Sequence, residues 1–187
     1  NTIIMRNIQK ILIDHKTQKK HFVKDLEEDF HTSNGVISKE DLNSENSIIE
    51  SNKGAKFTLL TPTFTDLWQN LNRGPQIIPQ KDIGLILAKT GVGKNSKVVD
   101  AGGGSGSLCL SLANVAKEVI TYEINAEHYD IIQKNIKLFG MDNLTLKQDN
   151  VYNGIDETDV DVITLDLPEP WQVLPHIEKS LKNSGHL

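Results

Sequence analysis

Several features that would assign a protein to a class at sight are missing from this sequence. There is one cysteine, Cys109, so no internal disulfide can form and a reducing, cytoplasmic setting is expected. Cys109 itself reads as a small apolar residue packed in the first turns of a helix. No apolar run approaches the roughly 20 residues a membrane helix needs, and none has the make-up of a signal-peptide core, so no membrane association is expected. His15, His21, His31, His128, His176 and His186 stand at no ligand spacing with a cysteine or carboxylate, and no metal is expected. Internal repeats and low-complexity segments are absent. So is a cationic excess: 20 Lys and Arg face 25 Asp and Glu, a net charge of −5, which does not announce a nucleic-acid binder.

What is present is enough for a full domain and a small second one. The chain has 187 residues, 37% hydrophobic and 24% charged, the balance of a soluble globular protein. The charge is uneven. Residues 1–80 carry ten basic and ten acidic side chains, whereas residues 81–187 carry ten and fifteen and hold the whole deficit. Within the neutral part Lys10, Lys16, Lys19, Lys20, His21 and Lys24 form a basic run, read first as a solvated strand face and second as a phosphate track. The first residue is Asn1, with Met5 a candidate start, and at Gly185-His186-Leu187 a new strand is about to begin. The 187 residues are therefore expected to be part of a longer chain.

Residues 1–70 read as a small β-barrel or sandwich. Five short strands are expected at 8–13, 20–23, 35–38, 47–49 and 56–60, without helical periodicity. Asn34-Gly35 and Asn52-Lys-Gly54 are turn signals. Thr63 and Asp66 ahead of Leu67, Trp68 and Leu71 predict a short connecting helix. Arg73-Gly-Pro-Gln-Ile-Ile-Pro-Gln-Lys-Asp82 is a linker whose prolines preclude regular structure, of a kind that folds over a pocket. A helix follows from Lys81 to Gly91.

From Lys97 strands and helices alternate. Strands are expected at 97–101, 118–122, 144–147 and 161–165, with helices at 107–116, 126–139 and 173–181; Gly140 caps the second helix and Asn183-Ser-Gly185 closes the third. This alternation means βαβ units and a parallel sheet. If nothing followed Leu187, strand 161–165 would be an apolar sheet edge open to pairing. The densest signal is Asp100-Ala-Gly-Gly-Gly-Ser-Gly-Ser107, between the first strand and its helix. Four glycines in five positions let main-chain N–H groups approach a ligand with no Cβ in the way. A dehydrogenase-type G-x-G-x-x-G would need glycine at 107, which is Ser107. Asp100-x-Gly102-x-Gly104-x-Gly106 is instead the pattern of S-adenosylmethionine-dependent methyltransferases.

Ligands of open parallel sheets bind beyond the carboxyl ends of the strands, at the switch point. Asp100, Glu123, Asp149-Asn150 and Asp166 all fall at that edge. Alone each is explained by the preference of Asp and Asn for strand exits and caps; together they outline a site. Glu123, 19 residues after Gly104, is placed to bind ribose hydroxyls, and Asp149 or Asn150 to read an adenine amino group. In Asp166-Leu-Pro-Glu-Pro-Trp171 two prolines fix an extended backbone after a strand-end carboxylate. Trp171 offers either a stacking face for a base or a core contact.

These stretches together resemble the tRNA (adenine-N1) methyltransferases of the TrmI type, which modify the tRNA T-loop. The resemblance is carried by Leu12-Ile-Asp14, Phe30-His-Thr32 and Gly35-Val-Ile37, by Arg73 to Ile78 with Lys81-Asp82, by Asp100 to Gly106, and by Asp166-Leu-Pro-x-Pro-Trp171. It departs from the family at Pro79-Gln80, where Tyr-Pro is usual. It implies a Rossmann-like α/β methyltransferase sheet over 71–187, incomplete at its end, behind an all-β tRNA-contacting domain over 1–70. It implies S-adenosylmethionine as cofactor, tRNA as substrate and a homotetramer. By position, Gln76 borders the cofactor, Asp100, Gly102, Gly103, Gly104, Ser105, Gly106, Ser107 and Leu108 hold its methionine part, and Glu123 and His128 its ribose. Asp149 and Asn150 meet its adenine, and Asp166, also at the cofactor, is catalytic. The alternatives are a methyltransferase of the same fold acting on a small molecule or protein, and a non-catalytic tRNA-binding subunit.

Overall fold

The computed structural model describes residues 8–187; Met5 lies outside them. The chain divides into two compact units, Asn1–Gln69 and Asn70–Leu187.

The first unit is built on an antiparallel sheet of four strands, β1 (Lys10–Asp14), β2 (Lys20–Val23), β5 (Ile48–Glu50) and β6 (Lys56–Leu60), in the order β2-β1-β6-β5. A separate hairpin pairs β3 (Phe30–Thr32) with β4 (Gly35–Ile37) across Ser33-Asn34. Gly35 follows at φ +118, a value that only glycine adopts easily. The four-stranded sheet keeps two free edges and does not close into a barrel. β3 is a strand that sequence reading passes over: three residues are too short for alternation to register. A one-turn helix α1 (Lys39–Leu42) also interrupts this unit, started by the Ser38 hydroxyl, which accepts the Asp41 N–H at 3.1 Å. Alternate residues of the strands, with Leu42, meet in a core of Leu12, Val23, Ile37, Leu42, Ile49, Phe57 and Leu59. The unit ends in α2 (Phe64–Gln69), opened by reciprocal Thr63–Asp66 hydrogen bonds.

The second unit begins with an irregular segment and α3 (Gln80–Thr90), for which Pro79 stands at the N-cap. A five-stranded parallel sheet follows in the order β11-β10-β7-β8-β9, from β7 (Lys97–Ala101), β8 (Glu118–Tyr122), β9 (Leu144–Lys147), β10 (Val160–Leu165) and β11 (Leu181–His186). The connecting helices are α4 (Ser107–Ala113), α5 (Ala126–Phe139) and α6 (Leu174–Ser180). Gly140 ends α5 in the left-handed conformation, freeing its N–H for the carbonyls of the last turn. α4 stops three residues before the expected 116, and every residue in it is buried, Cys109 included. The stretch expected as a helix over 173–181 is a 3-10 turn over Pro170–Val173 followed by α6.

β11 overturns two expectations. Asn183, Ser184 and Gly185 do not close a helix but lie within a strand, and that strand covers β10, which is internal and not an apolar edge. An edge strand hydrogen-bonds on one side only, so it tolerates such residues and the irregular register seen against β10. The chain winds from β7 to β8 to β9, then crosses to β10 on the other side of β7. The switch point therefore lies between the ends of β7 and β10.

Candidate functional site

At the switch point the two strand ends are hydrogen-bonded to each other: the Asp166 N–H donates to the Ala101 carbonyl at 2.9 Å. The glycine run leaves β7 directly against that bond. Gly102 has φ +93, and a Cβ on it would lie 2.2 Å from the Asp166 carbonyl oxygen. A Cβ on Gly103 would meet Ile132 and the Thr121 hydroxyl within 3 Å. These two glycines thus satisfy close approach as well as conformation. The Gly102 and Gly103 N–H groups donate to the Tyr122 carbonyl at 3.0 and 3.1 Å, and that of Gly104 to Glu123 Oε2 at 2.8 Å. The loop is laced to the end of β8 before it enters α4.

Glu123, 7% exposed, also accepts the Asn125 N–H at 2.8 Å through Oε1, and His128 Nδ1 stands 3.7 Å from its Oε2. The Asn125 side chain caps α5 by accepting the Glu127 and His128 N–H groups. A cavity of about 200 Å³ opens beside Glu123 and brings together Gly102, Glu123, Asp149 and Asn150. Its other walls are mostly apolar, including Ile124, Val151, Leu167 and Pro168. The Asn150 side-chain oxygen is engaged as a cap, accepting the Tyr152 N–H at 3.0 Å.

Asp100 stands apart from the cavities. It is 1% exposed and accepts the hydroxyls of Thr121 at 2.9 Å and Thr164 at 2.7 Å, joining β7 to both neighbours. Burial pushes its pKa up to about 6, against the pull of those hydroxyls; the nearby charges of Asp166 and Glu123 add to the rise. Three carboxylates at one sheet edge make it a place where a cation is favoured.

Ser105, 2% exposed, and Ser107 face the linker. The Ser105 hydroxyl accepts the Gly74 N–H at 3.1 Å and donates to the Pro75 carbonyl at 3.0 Å, and Ser107 accepts the Ile78 N–H at 3.2 Å. Residues 72–78 are thus strapped onto the glycine loop, and Gln76 comes to line a cavity of about 300 Å³ with Asp166. Leu108 and Asp166 border a further, largely apolar groove of about 490 Å³ with Leu85 and Ile86. Asp166 is exposed, and Trp171, at 60% exposure, is a solvent-facing ring and no core residue.

Two residues of this arrangement escape sequence reading. Asn135, 0% exposed, accepts the Asn72 backbone and side-chain N–H groups and donates to the carbonyls of Asn72 and Ser105, all at 2.8–2.9 Å. A polar residue in the apolar stripe of α5 was the available signal. Tyr122 is held at both ends. Its carbonyl takes the loop N–H groups, while its hydroxyl donates to Glu157 at 2.6 Å and accepts from Lys147 and the Asp156 N–H. Burial and the Glu157 carboxylate raise its pKa. Among the described residues no three histidine, cysteine or acidic side chains cluster as metal ligands, and no helix is long and apolar enough to cross a membrane.

Comparison with known proteins adds names to this geometry. The family model described as tRNA methyltransferase complex GCD14 subunit matches residues 56–187. A tRNA (adenine(57)-N(1)/adenine(58)-N(1))-methyltransferase TrmI from Methanocaldococcus jannaschii is 34% identical, over 95% of this chain and 73% of that protein. A tRNA (adenine(58)-N(1))-methyltransferase catalytic subunit from Candida albicans is 32% identical over 71% of the chain, which spans 42% of that protein. Among solved structures, a SAM-dependent O-methyltransferase from Thermotoga maritima superposes with a TM-score of 0.79 at 27% identity, covering 96% of this chain and 70% of its own. The tRNA (m1A58) methyltransferase TrmI from Aquifex aeolicus gives 0.71 at 26% identity, covering 94% and 71%.

Proposed function

The chain belongs to the family of tRNA methyltransferase complex GCD14 subunits, and from that premise we infer that it transfers a methyl group from S-adenosylmethionine to N1 of a tRNA adenosine, at position 58 or 57 as its relatives' names state. The observation that carries this reading is the Gly102–Asp166 contact, which sets a carboxylate directly across from a methyl-donor loop.

The residues present suit the cofactor. Gly102 and Gly103 leave space and main-chain edge where a side chain would intrude. Glu123 supplies carboxylate oxygens for ribose hydroxyls, Asp149 and Asn150 supply polar groups for an adenine edge, and Ile124, Val151 and Leu167 supply apolar faces for its ring. The acidic edge formed by Asp100, Glu123 and Asp166 favours a cationic ligand over a neutral one. When bound, S-adenosylmethionine supplies an electrophilic methyl group. The protein's remaining task is alignment and charge stabilisation.

Methylation at N1 leaves the adenine ring cationic. Asp166, fixed through its N–H to Ala101 and followed by Pro168 and Pro170, is placed to accept a hydrogen bond from the exocyclic amino group as that charge develops. The strap over 72–78 limits the approach of water on the loop side. A T-loop adenine is paired and stacked in folded tRNA and must leave the stack to reach Asp166. The fold itself leaves the acceptor open, since the Thermotoga maritima neighbour is named for methylation of oxygen. The test is Asp166→Ala. Turnover on tRNA is expected to fall on the order of 10²–10³-fold while calorimetry finds S-adenosylmethionine affinity within about threefold. Equal turnover by the variant removes the assignment.

A further inference from the structure

The amino-terminal unit contains a cavity that methyl transfer does not use. Its volume is about 540 Å³, and it forms where the β1–β2 turn, the β3–β4 loop and the β5–β6 turn meet. Each outer turn brings lysine to it: Lys16 from the first, Lys53 and Lys56 from the last. The basic run of the sequence is thereby divided. Lys20 pairs with Asp66 at 3.4 Å, whereas Lys16 joins two lysines about forty residues away along the chain.

The acid in the cavity wall is already engaged. Asp14 is 2% exposed and accepts the Lys16 N–H at 2.8 Å, the Thr17 N–H at 3.1 Å and the Asn34 side-chain amide. Burial acts to raise its pKa, but these donors outweigh it and hold the carboxyl below its ordinary value. Lys56 has a loose, exposed pairing with Glu50 at 3.7 Å. Lys16 and Lys53 form no ion pair among the described residues. Two uncommitted ammonium groups and a third weakly committed one thus line one concave surface.

We propose that this cavity holds a stretch of RNA phosphodiester backbone. Ammonium groups are compact point charges that contact phosphate without reading bases, and a cavity of this size exceeds what a single phosphate ion fills. Of its lysines only Lys56 falls within the residues matched by the family model, so the family assignment does not cover the site. The proposal rests on the tRNA-substrate reading above and extends it to a surface that positions the RNA.

The test compares the full chain with Lys16→Ala/Lys53→Ala and with the charge-preserving Lys16→Arg/Lys53→Arg. Binding of tRNA and of an unrelated RNA oligonucleotide is titrated from about 50 to about 200 mM salt. Each lost phosphate contact lowers the slope of log K against log salt by about 0.7–0.9. The alanine pair is therefore expected to lose about 1.4–1.8 in slope and about tenfold in affinity at the low-salt end. The arginine pair keeps both, and S-adenosylmethionine affinity is unchanged in every variant. Unaltered slope and affinity in the alanine pair overturn the proposal, whatever the methylation assay shows. Lysine-dependent binding of both RNAs without methylation of tRNA supports the cavity and removes the substrate reading instead. Abolition of the lysine-dependent component by millimolar inorganic phosphate, at constant ionic strength, reassigns the site to a free anion and overturns the RNA proposal.

Discussion

Across the crevice between β7 and β10 the two walls differ in how far their polar groups are committed. On the β7–β8 side Asp100, Ser105 and Glu123 are 1%, 2% and 7% exposed, and each is fixed by at least two hydrogen bonds. On the β10 side Asp166 is exposed and Trp171 is 60% exposed; the bond that places Asp166 is from its main chain. A small cofactor has one shape, so its wall can be built in advance. A base delivered by a large RNA has to enter, and the wall that receives it stays open until the substrate covers it.

Gly102 is the joint between these walls, and changing it has the largest expected effect. Gly102→Ala places a Cβ 2.2 Å from the Asp166 carbonyl at φ +93. It should lower stability by about 3 kcal/mol or more and weaken S-adenosylmethionine binding by about 100-fold or more. Urea unfolding and calorimetry read both, and a variant that keeps either value breaks the idea of a shared joint.

Asp100 tests the buried wall through pH. Its folded pKa, about 6, lies above the ordinary value of 3.8, so between these values the folded state binds more protons than the unfolded one. The unfolding free energy therefore falls as pH rises from about 4 to 6, by about 3 kcal/mol from this group. Asp100→Asn removes that fall. The difference in unfolding free energy between variant and parent should change by this amount between pH 4 and pH 7, and a constant difference contradicts the assignment.

Asn135→Ala tests the strap. It leaves the Asn72 N–H and the Ser105 carbonyl without their buried partner, which should cost about 2 kcal/mol and raise the dissociation constant for S-adenosylmethionine. Unchanged hydrogen exchange over residues 72–78 would show the strap to be independent of it. The smallest structural effect is expected for Trp171→Ala on the open wall. Stability should stay within about 0.5 kcal/mol, while tRNA affinity falls by about 1–3 kcal/mol, the range for loss of one stacked base. A large drop in melting temperature would place Trp171 with the closed wall instead.

Much of the second unit is legible in the chain. The strands at 97–101, 118–122 and 144–147 and the helix at 126–139 lie where the pattern of apolar residues and the Gly140 cap put them. Periodicity is strong there because each strand is buried on both faces and each helix on one. The spacing of the glycine loop, with Ser107 in place of a third glycine, is enough to exclude a dehydrogenase. The first unit is harder to read: its strands are three to five residues long, and β3 and α1 fall below the length at which a period can be seen. β11 misleads for a different reason, since an edge strand accepts the Asn-Ser-Gly sequence that elsewhere ends a helix.

By itself the sequence determined the loop, the carboxylates at the strand ends and the order of the elements, because these are set by local conformation and by which faces must be buried. Tertiary structure alone decided what those groups touch. Asp100, in the same loop motif as Gly102, is a buried tie between three strands. Asn135 became a bolt for a strap some sixty residues away in sequence, and Lys16 left its neighbours to face Lys53 and Lys56. Spacing along a chain reports which residues share an element, whereas a site is made where different elements converge, and that depends on how the sheet is wound.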